Sequence, residues 1–165
     1  MAEEKKATGS KSSVVKKLKA TAAAGAYQKQ WFFDMKARVE REGKDVTIVS
    51  YSIGMKNARG AADLLAKEGI EAEVIDLITL SPWDKETVLN SVKKTHRLCI
   101  CHEAVKQGGV GAEIAAVAAE ELLTELDAPV LRFGAPFCPI PFAKSLEDMV
   151  RITPEKVAEG IKGMF

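Results

Sequence analysis

The chain is short of cysteine, histidine and long apolar runs, and each shortage removes a class of function. Three Cys residues, an odd number, do not make a disulfide framework. Cys99-Ile100-Cys101-His102 invites a metal, but no second Cys/His cluster lies near in sequence to complete a tetrahedral site. In a strand Cys99 and Cys101 point to one face and His102 to the other. Core packing is therefore the expectation, with metal or redox use as the alternative. No apolar run approaches the length that spans a bilayer, and the start of the chain has no apolar core of a secretory signal. Net charge is only +1, so the chain as a whole does not read as a nucleic-acid binder. Neither a dinucleotide fingerprint nor a phosphate loop is found, and no internal repeat is visible.

What is there suits one soluble domain. The chain has 165 residues, and a hydrophobic fraction of 47% is enough for a real core. Charge is uneven along it. Residues 1–30 hold seven Lys and two Glu, a balance of +5 that leaves −4 on residues 31–165. That is a basic tail on a mildly acidic domain. The Lys-, Ser- and Ala-containing start loosely suggests a transit peptide, but its basic residues are all Lys, and Glu3 and Glu4 open it. A cytoplasmic setting is the expectation, with the mitochondrial matrix second.

Residues 1–12 are polar and lysine-rich, and disorder is expected there. Val14, Leu18, Ala22, Ala26, Tyr27, Trp31, Met35 and Val39 then recur mostly four apart, the spacing of one helix face. Val46–Tyr51 reads as a buried strand, and Ala58–Lys67 as a helix that Asn57 could cap. Ala72–Leu77 reads as a second strand. Ser81–Asp84 turns into a helix through about Lys94, with Pro82 near its first turn. Arg97–His102 reads as a third strand, Gly108–Gly111 as a loop, and Ala112 to about Glu125 as a long helix. Val130–Phe133 reads as a fourth strand, residues 136–142 as a Pro-rich loop, and Pro154 starts the last helix. Strands alternating with helices predict an α/β fold with a parallel sheet covered by helices.

The order of these local sequences resembles a known family. Lys36–Val39 and Gly43–Val49 are similar to the segment that opens the C-terminal, transketolase-like domain of the beta subunit of thiamine diphosphate-dependent 2-oxoacid dehydrogenases. Val74-Ile75-Asp76-Leu77 with Thr79-Leu80-Ser81-Pro82 and Asp84 resembles its second strand and turn. His102-Glu103-Ala104 followed by Gly108-Gly109-Val110-Gly111-Ala112-Glu113-Ile114 is the most specific match. Leu126-Asp127-Ala128-Pro129, Pro136, Pro139-Ile140-Pro141-Phe142-Ala143 and Thr153-Pro154-Glu155-Lys156 follow in family order. The resemblance covers residues 36–165. It implies three layers: a mostly parallel five-stranded sheet with one antiparallel strand, flanked by helices. Residues 1–35 would then be a basic tail and a helical extension.

The resemblance implies an enzyme complex that decarboxylates a 2-oxoacid on thiamine diphosphate and Mg, then passes the acyl group to a lipoyl arm. In the family, a preceding pyrimidine-binding domain supplies the activating glutamate, and 35 residues are too few for it. The alpha subunit holds the diphosphate and metal through Gly-Asp-Gly and a later Asn. This chain has no Gly-Asp-Gly, and its only Asn residues are Asn57 and Asn90. The expected role is therefore a non-catalytic assembly domain with no catalytic, cofactor or metal residue of its own. It would act with an alpha-type subunit and a chain carrying the pyrimidine-binding domain. Ile78 stands where the family usually has Arg, Cys99 and Cys101 where it has aliphatic residues, and Cys138-Pro139 where it often has Asp or Thr.

Candidate partner-binding residues follow. The family's acid near the Asp-Ala-Pro turn and its terminal carboxylate pair with basic residues of the dihydrolipoyl acyltransferase. This implies roles for Asp127 and Phe165, with Glu125 assisting; a solvated acid and a frayed terminus are the other reading. Tyr27, Trp31 and Met35 make an apolar face for the domain itself or for a partner groove, membrane contact being a remainder. Gly108, Gly109 and Gly111 before a helix could present N–H groups to an anion, or simply form a tight turn needing φ > 0. Lys56 and Arg59 are a weaker anion candidate. A second hypothesis for the whole chain is an independent binding module reusing the fold, with a ligand at the carboxyl ends of the strands. An engineered isolated domain with an added N-terminal segment is a third.

Overall fold

The computed structural model describes Lys36–Phe165. The expected basic tail, and the apolar face carrying Tyr27, Trp31 and Met35, lie outside the described residues. The described elements run β1 (Arg38–Arg41), β2 (Val46–Ser50), α1 (Gly54–Ala66), β3 (Ala72–Asp76), α2 (Lys85–Thr95), β4 (Leu98–Val105), α3 (Val110–Leu122), β5 (Leu131–Ala135), α4 (Lys144–Val150) and α5 (Pro154–Lys162).

The strands form one sheet in the order β1-β3-β2-β4-β5. β1 pairs antiparallel with β3, and the remaining pairs are parallel. This is the α/β, mostly parallel five-stranded sheet that the resemblance implied. Period-2 alternation splits its side chains between two cores. Val46, Ile48, Val74, Cys99 and Cys101 face α1 and α5, meeting Leu65, Val157 and Ile161. Val49, Ile75, Leu98 and Ile100 face α2 and α3, meeting Val92, Ile114 and Leu122. Three layers result, and β2, buried along its whole length, lies at the centre.

Three polar devices fix the layers. Asp84 caps α2 by accepting from the Thr87 N–H at 3.2 Å, and it also accepts from the Ala37 N–H at 3.0 Å, so one carboxylate ties the lead into β1 to a helix start. Burial would raise the Asp84 pKa, but the Thr87 and Ala37 donors and Lys36 together hold it below the usual value. Thr47, buried on the α2 face, meets Ser91 Oγ at 2.6 Å and Thr95 Oγ1 at 2.7 Å, so its hydroxyl is satisfied in the core. Thr153 caps α5, accepting from the Lys156 N–H at 3.3 Å, with Pro154 in the first turn.

The structure corrects four local expectations. Val39 does not continue a helix; it sits in β1, opposite Ile75. Four residues next to a bulged pairing carry too short a pattern to outvote the helical spacing before them. Asn57 is no cap. α1 begins four residues earlier, after Ile53, and the Asn57 amide donates instead to the Ile152 carbonyl at 3.0 Å. The loop expected up to Gly111 ends at Gly109, because α3 begins at Val110. Finally, Lys144–Val150 forms a helix that no pattern announced; it buries none of its residues, so it has no apolar face turned to the core.

Candidate functional site

The chain winds outward in both directions from β2: β3 lies on one side and β4 on the other. The crevice at the carboxyl ends of β2 and β4 is therefore the topological switch point, where open α/β sheets take ligands. A cavity of about 280 Å³ lies there, lined by Ile53, Lys56, Glu103, Arg151, Ile152 and Pro154 among others. A second cavity, of about 270 Å³, shares Glu103, Arg151 and Ile152 and extends to Ala135, Ile140 and Val150. The start of α1 does not offer this crevice free N–H groups. Gly54, Met55 and Lys56 donate to the carbonyls of Tyr51, Ser52 and Ile53 at 3.1, 3.1 and 3.0 Å. Arg59 of the expected Lys56/Arg59 pair turns elsewhere, to Glu40 at 3.4 Å. Lys56 stays at the cavity wall.

The glycine loop is built around His102. This imidazole is 2% exposed, stacks on the Tyr51 ring with centroids 5.8 Å apart, and meets the Ala104 carbonyl through Nδ1 at 3.0 Å. A Cβ on Gly111 would lie 2.6 Å from His102 Nε2, and one on Gly109 would lie 2.4 Å from the Val105 carbonyl oxygen. Gly108 has φ +70°. Each glycine thus has a conformational or packing reason to be glycine. Burial, with help from Arg132, holds the His102 pKa below its usual value, so the ring is kept neutral.

Asp127 and Phe165, far apart in sequence, are brought to one corner by Arg97. The Arg97 guanidinium stands 3.6 Å from the Asp127 carboxylate and 4.3 Å above the Phe165 ring, and its Nε donates to the Met164 carbonyl at 3.2 Å. Glu125 joins the same corner through its backbone, whose carbonyl meets His96 Nδ1 at 2.8 Å. Arg97 was read only as a strand start. Its lone cationic charge at the head of an apolar strand was the available signal.

A group of exposed apolar side chains lies elsewhere. Phe137, Ile140, Phe142, Leu146 and Met149 all stand exposed between β5 and α5, Phe137 at 79% and Ile140 at 82%. Sequence reading saw a Pro-rich loop there and missed its character, because Pro, Cys and Lys interleave the apolar residues. Cys138 is exposed in the same segment. Cys99 and Cys101 instead belong to the α1/α5 core, where burial pushes the Cys101 thiol up to about 11 and holds the Cys99 thiol well above its ordinary value.

Among the described residues no group of three or more His, Cys, Asp or Glu side chains is placed to hold a metal ion. The donor set of a Mg-diphosphate site does not fit these residues. No helix of the described residues is long and apolar enough to cross a membrane.

The comparisons with known proteins agree with this architecture. The family described as transketolase, C-terminal domain, matches residues 35–157. The chain is 46% identical over 127 residues to the mitochondrial pyruvate dehydrogenase E1 component subunit beta of Dictyostelium discoideum, covering 77% of this chain and 36% of that protein. It is 38% identical over 128 residues to the 2-oxoisovalerate dehydrogenase subunit beta of Bacillus subtilis, covering 77% of this chain and 39% of that one. Among solved structures, a split-gene transketolase described as an inactive beta4 tetramer superposes with a TM-score of 0.65 at 30% identity, covering 78% of this chain and 41% of that one. The chain thus spans little more than a third of the length of these curated relatives. With its five-stranded mixed sheet and a family match over most of its length, this chain belongs to the transketolase C-terminal domain family, in the form that the beta subunits of 2-oxoacid dehydrogenases carry.

Proposed function

We propose that this chain is a non-catalytic assembly domain of a thiamine diphosphate-dependent 2-oxoacid dehydrogenase, active only together with partner chains. One observation carries the reading: the row of exposed Phe137, Ile140, Phe142, Leu146 and Met149 after β5. Large apolar side chains exposed together in one short segment suit an interaction surface, and the curated relatives are subunits by name. In this reading the apolar rim packs on an alpha-type subunit and on a chain that carries the pyrimidine-binding domain. Thiamine diphosphate and Mg are held by those partners, and this chain alone binds neither. The corner of Arg97, Asp127 and Phe165 serves a different contact, with the basic surface of a dihydrolipoyl acyltransferase. Arg97 neutralises part of that corner, so the acyltransferase would have to displace it from Asp127, and charge complementarity would set the on-rate more than the affinity.

The test is recovery of the tagged chain from its native cell at low salt, with mass spectrometry of its companions. Recovery of an alpha-type subunit and a pyrimidine-binding chain supports the assembly role, and the 2-oxoacid is then assayed on the complex. Recovery of the chain alone overturns it.

A further inference from the structure

We infer that the crevice at the carboxyl ends of β2 and β4 binds a small zwitterion, an α-amino acid with an apolar side chain. The inference does not depend on the assembly reading: its charged groups Lys56 and Glu103 lie outside the apolar rim, and Ile140 is the one rim residue that it shares.

The charges of the crevice decide the ligand class. Four ionisable side chains line its two compartments: Lys56 and Arg151, Glu103 and Glu147. They sum to zero, which disfavours a phosphate or another polyanion as well as a polyamine. Arg151 is already matched within its own turn, lying 3.7 Å from Glu147 and 3.9 Å from Asp148. The Lys56 and Glu103 side chains have no hydrogen-bond or ion-pair partner among the described residues, and they are not paired with each other. One free cation and one free anion thus share the wall of a cavity of about 280 Å³. A ligand with one carboxylate and one ammonium group answers both.

The rest of the crevice fits the remainder of such a molecule. Asn57 spends its amide N–H on the Ile152 carbonyl at 3.0 Å, which leaves its side-chain oxygen to accept from an ammonium group beside Glu103. Ile53, Ile152 and Pro154 supply apolar wall around the charged groups. Beyond Ile152 the second compartment is lined by Ala135, Ile140 and Val150, room for an aliphatic side chain. The contact between Asn57 and Ile152 fixes α1 to the segment that leads into α5, so the walls on both sides are held before any ligand arrives. Direct closure of Lys56 on Glu103 would be an exposed ion pair of little worth, which a ligand bridging both can displace.

The experiment is calorimetric titration of the full chain with L-leucine, with 4-methylpentanoate (no ammonium group) and with 3-methylbutylamine (no carboxylate). The expected result is saturable L-leucine binding with a Kd below about 1 mM and binding at least about tenfold weaker for each single-charge probe, because each loses a charge-assisted hydrogen bond. Lys56→Met and Glu103→Gln should each weaken L-leucine binding by about the same factor. Both side chains are exposed, so the fold is expected to survive, and an unchanged thermal midpoint without ligand checks it. Lys85→Ala, on the opposite face of the sheet, should leave the Kd unchanged. Absence of saturable L-leucine binding overturns the inference. So does equal binding of 4-methylpentanoate, which would mean a simple anion site, or a loss in Lys56→Met with none in Glu103→Gln.

Discussion

Two sets of apolar side chains sit within one domain and follow opposite rules. In the sheet interior Ile48, Leu65, Ile75 and Ile100 are sealed between layers. On the rim, Ile78 beside the end of β3 and Phe137, Ile140, Phe142 and Met149 after β5 stand in water. Both sets are equally hydrophobic by composition. What separates them is whether the fold supplies a second layer: α1 and α5 cover one face of the sheet, α2 and α3 the other, and α4 buries nothing. Interior residues hold the domain together, and rim residues are left without a second layer from the described residues.

The sharpest way to break this contrast is to truncate one residue from each set. Leu65→Ala opens a cavity under β2 and should cost about 2–5 kcal/mol. Phe142→Ser should change the stability of the isolated chain by no more than about 0.5 kcal/mol while reducing recovery of partner chains from the native cell. Urea midpoints and quantitative pull-down measure the two. A large stability loss in Phe142→Ser would show that the rim is part of the core.

How much of this was legible in the sequence follows the same division. β2, β3 and β4 were readable because Val46–Ser50, Ala72–Asp76 and Leu98–His102 are dense in residues that strands bury, and the helices between them carry their own period. The family order of motifs from Lys36 to Lys156 then fixed the topology. β1 and α4 were not readable. β1 has four residues with mixed exposure, and α4 has no apolar face directed inward. The site was harder still. Asp127 and Phe165 could be named from the resemblance, but Arg97, which joins them, could not, since 67 residues separate Arg97 from the Met164 carbonyl it binds. The glycine loop was read as a choice between a tight turn and an anion seat. What tips it towards packing is His102, a contact between strand and loop that spacing alone does not reveal.

That contact gives the next prediction. Gly111→Ala pushes a methyl into His102 Nε2, 2.6 Å away, in a site walled by Ile100 and Tyr51. Overpacking should cost about 1–3 kcal/mol, less than Leu65→Ala and more than any rim change. A neutral result would show that the imidazole can swing aside, and would return the loop to consideration as a ligand seat.

pH dependence separates interior from rim more gently. The folded-state pKa of His102 lies below its ordinary value, so the unfolded chain takes up the proton first. Its contribution is full above the ordinary value of about 6.5 and is lost as pH falls towards the folded value. Urea midpoints should therefore fall between pH 7.5 and 5.5, and His102→Gln should flatten that fall. Glu73 acts lower. Burial would raise its pKa, but Lys94, Ser91, Glu42 and the Gly43 N–H outweigh burial and hold it down. Its stabilisation is present above the ordinary carboxylate range and is lost as pH drops through the folded value. Loss of stability on raising pH from 5.5 to 7.5 would contradict the neutral buried imidazole.

The smallest expected effect sits on the rim itself. Ile78 holds φ +59° while half exposed, an arrangement that a β-branched side chain adopts only under strain. Asp76 Oδ1 accepts from its N–H at 3.3 Å, so the backbone there is held by a local turn and not by the isoleucine side chain. Replacing it by glycine removes strain of about 1–2 kcal/mol and adds about 0.5–1 kcal/mol of unfolded-chain entropy to be lost on folding. Relief exceeds the entropic cost, so Ile78→Gly should raise stability by about 0.5 kcal/mol with an unchanged denaturant slope. A loss of stability would mean that the Ile78 side chain packs within the domain. A gain in the isolated chain, joined to weaker recovery of partner chains, would instead place Ile78 in the same set as Phe142, an apolar residue kept at the cost of strain for a contact outside the domain.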